Sequence, residues 1–186
     1  MKNFILTILF TSFILSCKNE VKTSELKLEN SSEILFQVKT NNKDDLEFFE
    51  DGIIPWISIK NTATEISNLI GKDDIVINKN RVIIIIDYPL NIPIKIELKS
   101  NNSNGFTRKD LAFQISTQYI RVYKEEEESA KTKTVPLEER KGLINRNQTD
   151  GKYGIWGHDI DDLDLSAIVV RKSENGELLL ELIIES

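Results

Sequence analysis

The chain has 186 residues, 24 basic and 30 acidic side chains, a net charge of −6 with histidine neutral, and 40 % apolar residues. An acidic balance of this kind argues against nucleic acid and against an anionic lipid surface as partners. With a single cysteine and a single histidine, no intramolecular disulfide is possible, and a zinc site would have to draw its other ligands from carboxylates.

The chain opens MKNFILTILFTSFILSC, with a basic Lys2, an almost unbroken apolar run over residues 4–15, and Ser16 just before Cys17, the only cysteine. The run is short for a bilayer span, which needs about 20 residues, and suits the apolar region of a signal peptide. These residues resemble the signal peptide and lipobox of a bacterial lipoprotein. The resemblance implies that residues 1–16 are removed and that Cys17 is lipidated on its sulfur and its new amino group. It also implies a protein anchored by lipid in the cell envelope. Lys18, rather than an acid, follows Cys17, which in lipoproteins of the enteric type permits sorting to the outer membrane. Losing residues 1–16 removes Lys2 alone among the charged residues and leaves a net charge of −7. Residues 17–32 are polar and lack aromatics, so they read as the lipidated cysteine and a flexible tether. Residues 33–186 are long enough for one domain with a real core.

In residues 33–39, Ile34, Phe36 and Val38 alternate with polar neighbours and predict a half-buried strand. Residues 44–51 suit a short helix carrying Leu46, Phe48 and Phe49, closed near Gly52. Residues 53–59 read as a strand placed at an edge by Pro55. Thr62 and Glu65 form a capping-box pattern ahead of Ile66, Leu69 and Ile70, with Gly71 as the stop. Residues 74–78 and 81–87 predict a hairpin turning at Lys79 and Asn80. Its second strand is apolar on both faces and is therefore central and covered. Residues 92–98 alternate and predict a third meander strand with one wet face.

Thr107 and Asp110 resemble a capping box with Asp in the usual Glu position. Leu111, Ile115, Tyr119 and Val122 then recur at helical spacing and predict a helix over about 109–127. The acids at 125–128 oppose the helix dipole, so this end is expected to fray as a solvated terminus. Residues 129–157 have no clean periodicity, and loops of this length in a compact domain are often functional or disordered. A closing hairpin follows: Leu163, Leu165, Ala167 and Val169 on one strand face, a turn at 174–176, and a return over 178–185. The sum is an α+β domain in two layers: a mainly antiparallel sheet of six or seven strands with one long helix packed on it.

The segment 145–164 (NRNQTDGKYGIWGHDIDDLD) holds the only histidine, one of the two tryptophans and three glycines. Large aromatics in a Gly-rich connection are unusual for a solvated loop. Trp156 and Tyr153 suit a stacking wall, Arg146 suits an anionic group, and His158 with Asp159 suits proton or metal chemistry. The competing reading makes Trp156 and Ile155 a plug at the sheet edge and the glycines mere turns, in keeping with the high average burial of Trp. A calcium loop fails on spacing, because Leu163 falls where the third acid belongs, and no metal site is expected. Residues 129–152 carry a net +3 and residues 157–164 a net −4, so the two stretches can pair across the loop.

No G-x-S-x-G or S-x-x-K pattern supports a nucleophile, and no G-x-G-x-x-G or Walker pattern supports a nucleotide, so no cofactor is expected. The expected role is a non-enzymatic binding module for a protein or glycan, using Arg146, Tyr153, Trp156, His158 and Asp159. The alternative is an envelope hydrolase using His158 with a nearby carboxylate.

Overall fold

A computed structural model of the protein describes residues 32–142 and 145–186. The signal segment, Cys17 and nearly all of the tether lie outside the described residues. The described chain is a mixed α and β structure with one six-stranded, mainly antiparallel sheet and one long helix. In chain order the elements are β1 (Ser32–Leu35), β2 (Val38–Lys39), α1 (Lys43–Leu46), β3 (Ile53–Ile54), β4 (Ile57–Ser58), α2 (Thr62–Glu65), β5 (Ile75–Ile77), β6 (Arg81–Ile86), β7 (Ile94–Lys99), β8 (Phe106–Thr107), α3 (Arg108–Ser129), β9 (Asp164–Lys172) and β10 (Leu178–Glu185).

The main sheet runs β1-β9-β10-β6-β7, and β4 also pairs with β9. Its pairs are antiparallel except β10 with β6, which run parallel. The closing hairpin forms as the sequence predicts, and β10 then inserts as an inner strand. One face of the sheet buries Ile34, Ile84, Ile168, Leu180 and Leu182, and these share a core with Leu111, Ile115, Tyr119 and Val122 of α3. The helix follows its periodicity because those four positions fall on one stripe. The Thr107–Asp110 capping box is present in both directions.

Several expectations are corrected. Residues 74–78 do not form a hairpin with 81–87. Instead β5 pairs with β8, Ile75 opposite Thr107 and Ile77 opposite Phe106. Lys79-Asn80 lacks the Asn-Gly or Asp-Gly chemistry that a two-residue hairpin turn favours, and β6 takes β7 and β10 as neighbours. The strand expected over 33–39 splits into β1 and β2, and that over 53–59 splits into β3 and β4 around Pro55. The helix expected over 44–51 is one turn long, and Leu46 and Phe48 are exposed. The Thr62–Glu65 box does not close on its own helix. The Thr62 hydroxyl donates to the Ser58 and Ile59 carbonyls, while Glu65 accepts the Ser58 amide.

The face expected along β9 also changes hand. The register shifts so that Leu165 opposes Ile184 while Ala167 opposes Ile183. Ser166 is the extra residue, as in a β-bulge. Leu163 and Leu165 therefore join the core with Ile168 and Val170, and Ala167 and Val169 turn to the other face.

Candidate functional site

The C-terminal turn of α3 builds the loop that follows it. Instead of fraying, the helix continues to Ser129, and Glu126 is fully buried. Its carboxylate accepts the Thr149 hydroxyl at 2.6 Å and the amides of Gly151, Tyr153 and Gly154 at 2.9, 2.8 and 3.1 Å. Burial alone would raise its pKa, but these four donors outweigh burial and hold the carboxyl below its ordinary range. Glu125 accepts from Lys152 at 2.7 Å and from the Tyr153 hydroxyl, and both contacts, that from Lys152 foremost, lower its pKa. The expected solvated helix end is thus the anchor of the 149–154 segment. Gly151 is required by close approach: a Cβ there would lie 2.7 Å from Glu126 atoms.

The rest of the irregular connection is held by side chains reaching backbone. Asp150 accepts the Lys131 and Thr132 amides, and Asn147 accepts the Val135 amide at 2.8 Å. The expected charge pairing across the loop is present in one strong case. Arg140 grips Asp159 with both terminal nitrogens, at 2.7 and 3.0 Å, a fork geometry suited to carboxylate. Lys152 pairs with α3 rather than with the acidic stretch.

The structure divides the five predicted site residues between three places. Tyr153 is buried at 3 % exposure, so the stacking wall of Trp156 and Tyr153 does not form. Ile155 is fully buried and bridges to Leu90, which is the plug expected of it. Trp156 stands outside at 38 % exposure. Its amide donates to the Pro89 carbonyl at 3.1 Å, which sets its ring edge-on to Tyr88 at 5.3 Å. The His158 ring lies 5.6 Å from Tyr88 and 6.3 Å from Trp156. Tyr88, Trp156 and His158 form one aromatic cluster, and Gly157 between the last two has φ +72°. The sequence reading missed Tyr88, whose only local signal was a turn before Pro89.

Arg146 and Asp159 lie around a separate cavity. The Arg146 amide donates to the Gly157 carbonyl at 3.2 Å, and its guanidinium carbon sits 5.5 Å from the Tyr123 ring centre. The Tyr123 hydroxyl donates to the His158 carbonyl at 2.9 Å. Burial pushes that phenol well above its ordinary pKa, with Arg146 opposing.

The carboxylate of Asp159 is engaged by Arg140, and among the described residues His158 makes no side-chain hydrogen bond to a carboxylate. The pair expected to move protons is therefore not assembled as one. Among the described residues no group of three or more His, Cys, Asp or Glu side chains is placed to hold a metal ion. What the arrangement offers chemically is an exposed aromatic surface beside a charged cavity, both fixed by a loop that α3 ties down. No family model matches the chain, and no curated protein and no solved structure matches it.

Proposed function

We propose that the protein is a lipid-anchored component of the bacterial cell envelope, held through Cys17 in the outer membrane rather than the inner. Its two-layer α+β domain serves as a non-enzymatic binding module for a protein or glycan partner. The observation that supports this reading is the aromatic cluster of Tyr88, Trp156 and His158. A tryptophan at 38 % exposure on a connection pinned by a buried carboxylate is a pre-ordered contact surface. Aromatic faces of this kind suit the apolar faces of sugar rings and the anchor residues of protein partners. Nothing in the geometry favours the hydrolase reading, because His158 packs on aromatics and Asp159 answers Arg140.

The test is a crosslinking capture from intact cells, run beside cosedimentation with isolated envelope polysaccharide. Wild type is compared with a Trp156→Ala, His158→Ala double variant whose melting temperature is matched. The expected result is one partner, protein or polysaccharide, retained by wild type and lost by the variant. An unchanged set of partners would overturn the proposal.

A further inference from the structure

A cavity of about 420 Å³ opens between α3 and the connection that follows it, with Tyr123, Arg140, Arg146, Asp159 and Ile160 in its lining. It contains three cations. Lys60 is paired with Asp161, and Arg140 is paired with Asp159. Arg146 is different: at 6 % exposure it is buried, yet its guanidinium has no hydrogen-bond acceptor among the described residues. Its one side-chain partner among the described residues is the face of the Tyr123 ring. A buried guanidinium normally has its N–H groups matched by oxygens, because leaving them unmatched costs the desolvation of a charge. Its Nε is sealed from solvent, so the two Nη atoms are the ones a ligand meets.

We propose that this cavity binds one carboxylate group of a small, partly apolar ligand, with the two Nη atoms of Arg146 donating to its two oxygens. The inference rests on the binding-module reading and gives its Arg146 a ligand class. Two planar, parallel donors fit a carboxylate. The charge of the lining selects against a more highly charged anion. Glu127, Asp159, Asp161 and Asp162 outnumber the three cations by one, so every anion enters a slightly negative field, and a dianionic phosphate meets twice the repulsion of a single carboxylate, whose one charge Arg146 matches. Leu137, Ile160 and the Tyr123 ring supply the apolar wall for the remainder of the ligand.

The test uses the full-length protein purified from membranes in detergent, at neutral pH and fixed ionic strength. Benzoate and inorganic phosphate are titrated separately and followed by calorimetry and ligand-detected NMR. Saturable benzoate binding is expected, with phosphate failing to saturate or to compete. Arg146→Met should weaken benzoate by about tenfold or more, the loss of a paired charge. Should that variant fail to fold, Arg146→Lys decides: it keeps the charge, loses the fork, and must also weaken benzoate severalfold. Ile183→Ala, on the outer face of the sheet and away from the cavity lining, should leave benzoate binding unchanged. If wild type shows no saturable benzoate binding, if the Arg146 variants bind it equally, or if phosphate binds more tightly, the carboxylate site is wrong. Partner capture left unchanged in the Trp156→Ala, His158→Ala variant, with benzoate binding by wild type intact, would sink the aromatic-surface reading alone.

Discussion

Glu126 is the residue on which the candidate site depends. A carboxylate removed from water needs several donors to remain ionised, and Glu126 has four, from residues 149 to 154. Glu126→Gln puts an NH₂ group against backbone N–H donors, so about 3 kcal/mol of stability should be lost at neutral pH. Its folded pKa lies below the ordinary 4.5, so this contribution is complete above that value and disappears as pH falls through the folded pKa. Urea unfolding of both proteins along a pH series should therefore show their difference shrinking in acid. Asp164 has the opposite sign. Burial first, then Glu65 and Glu185, push its carboxyl up to about 6 from 3.8. Ionising it penalises the folded state, so wild-type stability should drop as pH rises from about 4 through 6. Asp164→Asn should melt higher than wild type at pH above about 7 and match it below about 4; an equal gap at both ends would refute the assignment. Neither role is legible in the sequence. Glu126 reads as one of four consecutive acids, and its donors arrive from more than twenty residues away. Trp156 and His158 were legible because rare residues in a Gly-rich stretch stand out locally, whereas Tyr88 reaches them through the pairing of two distant segments, the Leu90–Ile155 bridge and the Trp156–Pro89 hydrogen bond among its contacts.

At the level of elements, what the chain specifies locally is what the sequence reveals. α3 carries its own cap and its own stripe, and the β9–β10 hairpin carries its own turn, so both are readable from neighbours. The pairings of β6 with β10 and of β5 with β8 join segments roughly thirty to a hundred residues apart, and alternation alone does not choose between partners for a strand. The one-residue shift at Ser166 likewise leaves no mark in the apolar pattern, yet it reverses the face presented by everything beyond it. The insertion of β10 between β9 and β6 makes its inward side chains expensive to remove. Leu180 is fully buried and opposes Ile84 and Val170, so Leu180→Ala should cost about 3 kcal/mol through lost burial and an unfilled cavity. Ile183, three residues on, turns to the other face at 39 % exposure, and Ile183→Ala should cost less than about 1 kcal/mol. Chemical denaturation of the two variants separates them; similar losses would mean that the outer face is as closely packed as the inner one.

For the whole molecule, the proposed anchoring raises the question of what would keep an acidic domain at a membrane. No helix among the described residues is long and apolar enough to cross one. The net charge of −7 left after residues 1–16 repels anionic headgroups rather than attracting them. Under the proposed anchoring, acyl chains on Cys17 must therefore supply the attachment, at about 0.8 kcal/mol per buried CH₂, and one chain alone would hold only marginally. Under the same proposal, residues 18–31 would serve as the tether that sets how far the domain stands from the bilayer, since β1 begins at Ser32. Cys17→Ser removes the sulfur that would take the lipid under this proposal and leaves the domain sequence untouched. It should move the protein from the membrane pellet to the soluble fraction and abolish labelling by a palmitate analogue, with the melting temperature of the domain unchanged. A variant that stays in the pellet without label would mean that another contact holds the protein at the membrane, and the domain's own surface would become the place to look for it.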